Sequence, residues 1–192
     1  MIRIITGAFR GVRLDTLEGD ETRPTSSRVK EAVFSSIQFE ISGRRVLDLF
    51  AGSGQLGLEA LSRGAESAMF VDASPDAMAV VKKNAEKCGV FSSCRYLISD
   101  YRSFLRKAGK RDTWDLIFID PPYRLECVGD ALRRILDGGV AAPGCLLVCE
   151  SGSPDIFRDC PDLAPRFEVV KTARYSITYI TVLRLPEVPS HA

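Results

Sequence analysis

Four consecutive residues, Asp120-Pro121-Pro122-Tyr123, suit a reaction at an amino group on an aromatic ring. Such a nitrogen is a poor nucleophile because its lone pair is delocalised into the ring. Two acceptors aimed at its hydrogens favour a pyramidal nitrogen. The Asp120 carboxylate and the Pro121 carbonyl are such acceptors, and prolines, lacking N–H groups, stiffen the backbone and leave that carbonyl available. Tyr123 offers a ring to stack on a base that has left its helix. No strong general base is needed, since the attacked nitrogen becomes cationic and sheds its proton readily. The bland reading of the same residues is a turn that ends a strand.

Upstream lies DLFAGSGQLG (48–57), in which Gly52, Gly54 and Gly57 match G-x-G-x-x-G. Glycines there let the chain turn tightly and approach a ligand closely. An acid, Asp72, follows about 20 residues past the first glycine, where a ribose hydroxyl is bound in nucleotide folds. Alone, this fits either a dinucleotide or S-adenosylmethionine. Asp48 weighs against the dinucleotide, because a carboxylate beneath the loop repels a pyrophosphate. S-adenosylmethionine brings an ammonium and a sulfonium instead. The D-x-F-x-G-x-G pattern resembles the glycine motif of class I methyltransferases, and D-P-P-Y resembles the motif of amino-group methyltransferases. Asp100 has two readings of equal weight: a contact to the adenine amino group, as is common in such folds, or an N-cap for the helix that follows.

Several other chemistries are disfavoured. The chain has 192 residues and one histidine, His191, beside the C-terminus, so a Ser-His-Asp or Cys-His mechanism lacks its base. The six cysteines form no C-x-x-C and no zinc-site spacing, and are expected reduced and mostly buried. No metal is expected. A net charge of +1 gives no overall field for nucleic acid. Two local basic clusters exist, Arg3/Arg10/Arg13 and Arg106/Lys107/Lys110/Arg111, each readable as plain solvated surface. No apolar run approaches the length of a membrane span and the N-terminus lacks a signal peptide's apolar core, so a cytoplasmic protein is expected.

These residues need a scaffold. Short apolar runs at 46–50, 68–72, 94–98, 115–120 and 145–150 alternate with helical patterns, which implies βαβ units and a buried parallel sheet. Ser74, Pro75 and Asp76 punctuate one helix start. The segments 167–173 and 176–185 are β-rich with a short connection, an antiparallel pair. Residues 2–14 read as a β-hairpin, 15–25 as a loop and 26–39 as an amphipathic helix. The expected architecture is α/β, a Rossmann-like doubly wound sheet with a terminal antiparallel hairpin. Residues 1–192 form one methyltransferase domain, with 1–40 as a hairpin-and-helix appendage, and the tail after residue 185 is loose.

RIITGAFRGVRL (3–14), RPTSSRVKEAVFSSI (23–37), LDLFAGSGQLGLEALSRGA (47–65) and the D-P-P-Y closely resemble the bacterial ribosomal RNA small subunit methyltransferase D family, in the expected order, to about residue 185. The resemblance implies S-adenosylmethionine-dependent methylation of the N2 amino group of one guanine in 16S ribosomal RNA, in an assembled or partly assembled small subunit. It implies that Asp48, Gly52, Ser53 and Gly54 hold the methionine end of the donor, Asp72 the ribose, Asp100 the adenine, and Asp120 to Tyr123 the guanine. Asp72 stands where the family often has Glu, and Ser27 where many relatives have Asp. Arg10, Arg23 and Arg28 are candidates for phosphate or cofactor-carboxylate contacts. A monomer is expected. A DNA adenine or cytosine amino methyltransferase uses the same D-P-P-Y chemistry, but no segment here has the size of its target-recognition domain. A non-catalytic assembly factor on this fold is a third reading, and a nicotinamide oxidoreductase the weakest.

Overall fold

The computed structural model describes residues 2–17, 27–109, 112–122 and 127–187, Ser27 by its backbone alone. Tyr123, Arg23, Lys110, Arg111 and His191 lie outside the described residues, as do most of the expected loop over 15–25 and residues 188–192.

The chain opens with β1 (Ile2–Arg3) paired antiparallel to β2 (Arg13–Leu14). The hairpin is extended by Ile4 N–H donating to the Val12 carbonyl at 3.0 Å and Gly11 N–H to the Ile4 carbonyl at 2.9 Å. The helix expected over 26–39 is α1 (Ser27–Ile37), and its end tightens into a 3-10 turn at Gln38–Glu40.

The remaining elements alternate: β3 (Arg45–Asp48), α2 (Gln55–Ser62), β4 (Ser67–Asp72), α3 (Pro75–Lys87), β5 (Cys94–Ile98), α4 (Tyr101–Lys107), β6 (Trp114–Ile119), α5 (Val128–Gly138) and β7 (Ala141–Ser151). Then come β8 (Glu168–Tyr175) and β9 (Thr178–Arg184). Their sheet order is β5-β4-β3-β6-β7-β9-β8. The first five strands of that order run parallel, whereas β9 is antiparallel to both β7 and β8. The doubly wound sheet and terminal hairpin expected from the sequence are therefore present. Strand limits moved: β3 ends at Asp48, and β7 begins at Ala141 rather than 145, with a register shift against β6 between Trp114 and Leu116.

Alternate residues along each strand serve opposite faces, which is why these segments read as unbroken apolar runs. Val46, Phe70, Leu116, Phe118 and Val148 pack under α1, α2 and α3. Leu47, Val71, Ile117, Ile119 and Cys149 pack under α4 and α5. Five of the six free cysteines are buried and Cys94 is half-buried.

From β3 the chain winds outward through β4 and β5, then returns to the other side of β3 as β6. The connections after β3 and β6 thus leave in opposite directions. The crevice opened at such a switch, outside the carboxyl ends of the strands, is where open α/β sheets bind ligands.

Candidate active site

The two segments singled out in the sequence meet at this switch. In the β3–β6 register Asp48 pairs with Phe118, so Asp120 stands two residues beyond the level of Asp48 on the neighbouring strand. Leu49 N–H donates to the Phe118 carbonyl at 3.1 Å and ties the two strand ends together.

Asp48 is 1% exposed, and its Oδ2 accepts the Gly57 N–H in the first turn of α2 at 3.0 Å. Burial pushes its carboxyl up to about 7; the Gly57 N–H works against this, and the Asp72 charge adds to it. Between Asp48 and α2 the chain turns through Gly52 (φ +53) and Gly54 (φ +76), left-handed conformations that side chains rarely adopt. Gly57 is required for a different reason: a Cβ there would lie 2.4 Å from Phe70 Cε1. Beside the loop, at the start of α2, the buried Gln55 Oε1 has no hydrogen-bond partner.

Asp72, at the end of β4, accepts the Gly52 N–H on Oδ2 and the Ser74 N–H on Oδ1, each at 2.8 Å. One carboxylate therefore holds both the glycine loop and the turn into α3. Ser74 caps that helix, accepting the Ala77 N–H, with Pro75 at its first position. Asn84, fully buried on α3, donates from Nδ2 to the Ser53 carbonyl at 2.9 Å and the Asp15 carbonyl at 3.0 Å. The sequence reading missed this residue, which fastens the loop to the segment after the hairpin.

Asp100 is exposed and caps α4: Oδ1 accepts the Arg102 N–H at 3.1 Å and the Ser103 N–H at 3.0 Å. Hydrogen bonds from Ser103, through its side chain and then its N–H, hold this carboxyl below the usual carboxylate range. The capping reading is thus realised, and it leaves acceptor capacity on the carboxylate for a second partner.

After β6, Asp120 and Pro121 are half-buried and Pro122 is exposed. Both prolines line a cavity of about 630 Å³ together with the first turns of α5, Glu150 at the end of β7 and the loop through Ile156 and Cys160; Asp120 and the glycine loop are not among its lining residues. That volume lies in the range of small-ligand sites. Arg10 lies exposed in the hairpin turn and Arg28 exposed on the first turn of α1.

The hairpin is not a loose arm. Glu59, fully buried on α2, accepts the Ile5 N–H at 2.8 Å and the Thr6 N–H at 3.0 Å. It also pairs with Lys30 Nζ at 3.1 Å and Arg63 Nε at 2.9 Å. Lys30 Nζ in turn donates to the Arg3 carbonyl at 2.7 Å. Ser62 Oγ donates to the Thr6 carbonyl at 2.6 Å and accepts the Phe9 N–H at 3.0 Å. A Cβ on Gly7 would come 1.8 Å from the Ser62 carbonyl oxygen, so the turn sits directly on the helix. Neither Lys30 nor Glu59 was singled out from sequence. The available signal was Glu59 itself, a lone charge in the otherwise apolar first turns of α2.

The strand order, the glycine turn after β3 and the antiparallel final pair define the class I S-adenosylmethionine-dependent methyltransferase fold. Residues 2–184 match the model of the family described as Conserved hypothetical protein 95, and the chain belongs to that family. It is 43% identical to YlbH of Bacillus subtilis over 137 residues, covering 71% of this chain and 74% of the relative. It is 36% identical to the Ribosomal RNA small subunit methyltransferase D of Escherichia coli over 152 residues, 78% of this chain and 74% of the relative. The solved structure of yhhF from Escherichia coli superposes with a TM-score of 0.84 at 28% identity, covering 97% of this chain and 99% of that one. Among the described residues no helix is long and apolar enough to cross a membrane.

Proposed function

We propose that this chain transfers a methyl group from S-adenosylmethionine to the exocyclic N2 of a guanine in 16S ribosomal RNA, within the small ribosomal subunit or an assembly intermediate. The observation that carries the reading is Asp120-Pro121-Pro122 directly after β6, flanking the glycine loop across the β3–β6 switch. The small-subunit methyltransferase D relatives support the ribosomal substrate.

The residues around the glycine loop fit the donor. The buried Asp48 carboxylate and the orphaned Gln55 Oε1 are acceptors suited to a cationic ligand, and both flank a loop turned by two left-handed glycines. Bound there, the donor supplies an electrophilic methyl on a sulfonium sulfur. In this reading Gly52, Ser53 and Gly54 take its methionine end and Asp48 offsets the positive charge. Asp72 and Asp100 retain lone pairs for the ribose hydroxyls and the adenine amino group. Asp120 and the Pro121 carbonyl hold the two amino hydrogens of the base, Pro122 stiffens the turn, and Tyr123 stacks on the base plane. Positioning, rather than proton abstraction, supplies most of the rate. Arg10, Arg23 and Arg28 contact backbone phosphates. The protein works as a cytoplasmic monomer, residues 1–40 being an appendage of one methyltransferase domain.

The test is tritiated-methyl transfer to under-methylated 30S particles, naked 16S RNA and DNA, followed by nucleoside analysis. N2-methylguanosine from particles is expected, and Asp120→Ala should abolish it. Label in DNA alone would replace the ribosomal assignment with a DNA amino methyltransferase. Donor binding without transfer to any substrate would favour an assembly factor.

A further inference from the structure

We infer that the turn between β8 and β9 is a wedge that enters the RNA where the guanine leaves it, Ile177 filling the vacated place in the base stack; this rests on the function proposed above. Tyr175 pairs with Thr178, so Ser176 and Ile177 form a two-residue loop. Such loops are usually built of Gly, Asn or Asp. Here the first position is Ser176 at φ +61, the only non-glycine residue among those described with a positive φ. The second is Ile177, 64% exposed. A strained turn that presents an isoleucine to water adds no burial to the fold, and strain of this kind clusters where ligands are handled.

The turn stands over the edge of the sheet that carries Asp120. Cys149 pairs with Ile119 on one side and with Thr181 on the other, so these three form one row across β6, β7 and β9. Asp120 is one residue outward from that row and Ile177 is four. With strands about 4.8 Å apart and a rise of about 3.3 Å per residue, the Ile177 backbone lies roughly 14 Å from that of Asp120, higher above the carboxyl edge. A flipped base swings into its pocket while its neighbours stay outside, so a wedge belongs above the pocket and not in it. The tip is also braced. Arg174 Nε donates to the Ser176 carbonyl at 2.8 Å, and its guanidinium lies 5.7 Å from the ring centroid of Tyr179, its partner across the strand pair. The terminal N–H groups of Arg174 remain for a phosphate beside the wedge. An apolar side chain inserted between bases offsets part of the stacking that extrusion removes.

The test uses full-length protein and under-methylated 30S particles. A photoreactive benzoylphenylalanine is placed at position 177, and the crosslinks formed with S-adenosylhomocysteine bound are mapped by primer extension. They are expected at the nucleotides on either side of the guanine that the parent protein methylates. Ile177→Ala should lower kcat/KM on particles by about 10-fold, a part of the unstacking cost. Ile177→Leu, which keeps the apolar bulk, should stay near the parent. Both variants should keep the parent's melting temperature and its affinity for S-adenosylhomocysteine by calorimetry, because the side chain is exposed and β9 is three strands away from β3 and its glycine loop. Crosslinks absent from those neighbours, or full activity in Ile177→Ala, overturn the wedge and leave the reaction intact. A parent protein that makes no N2-methylguanosine overturns the proposed function instead, and this inference with it.

Discussion

Asp48 and Gly57 are joined by one hydrogen bond, carboxylate to backbone N–H at 3.0 Å, that carries the end of β3 into the first turn of α2. The bond holds a carboxylate where water does not reach, directly beneath the glycine loop. Helix N-termini favour negative charge, but one N–H does not replace a hydration shell.

The native carboxyl of Asp48 titrates near 7, against 3.8 for an ordinary Asp. Between those values the folded protein keeps a proton that the unfolded chain releases, so stability falls as pH rises through this window. The slope is at most about 1.4 kcal/mol per pH unit. Asp48→Asn keeps an acceptor for Gly57 and removes the titration. Its melting temperature relative to the parent should therefore climb between about pH 4 and pH 7 and level off above that. A difference that does not vary with pH would refute this. The same variant should bind S-adenosylhomocysteine more weakly, by roughly 10-fold, because a charge-assisted contact is lost.

Gly57→Ala places a Cβ 2.4 Å from Cε1 and 2.8 Å from Cζ of the fully buried Phe70. Overpacking of this kind costs about 1–3 kcal/mol. Thermal or urea unfolding should show that loss, and Phe70→Leu added to Gly57→Ala should recover part of it. Full stability of the single variant would mean that the strand and helix yield more easily than the close contact implies.

Lys30→Ala leaves Glu59 buried with its N–H donors and Arg63 but without the ammonium 3.1 Å away. Breaking a buried pair from one side costs about 3–5 kcal/mol. The loss should be felt first where Glu59 and Lys30 hold the hairpin. Hydrogen exchange at the Ile5 and Thr6 amides should accelerate more than exchange in β3 or β6. Uniform acceleration across the sheet would show that the pair acts on the whole core instead.

The two roles of Asp100 separate by substitution. Asp100→Ala removes the cap of α4 and should cost about 1 kcal/mol. Asp100→Ser restores a capping oxygen but no carboxylate. Stability should return in the serine variant while affinity for S-adenosylhomocysteine, measured by calorimetry, stays reduced. Parent-level affinity in Asp100→Ser would leave Asp100 as a cap alone.

Much of this was legible because it is local. The apolar runs, the Ser74-Pro75 helix start and the glycine turn each depend on residues within a few positions of one another. The switch point itself became visible only with the strand order, which places β6 beside β3. What stayed hidden is long-range polar pairing. Lys30 with Glu59, and Asn84 with Ser53 and Asp15, join residues about 30 or more positions apart. No periodicity marks such pairs, and a charged residue in a helical pattern reads by default as surface. Strand limits shifted for a related reason: β7 starts early because it crosses the bulge opposite Trp114, a feature of pairing rather than composition.

Helix α2 has the glycine loop at one end and, at the other, Glu59 and Ser62 riveted to the hairpin. Its 8 residues span about 12 Å, and nothing along that length can stretch. The helix is in effect a gauge block. The hairpin turn and the glycine loop are therefore kept at one spacing, and a displacement of either end is passed whole to the other.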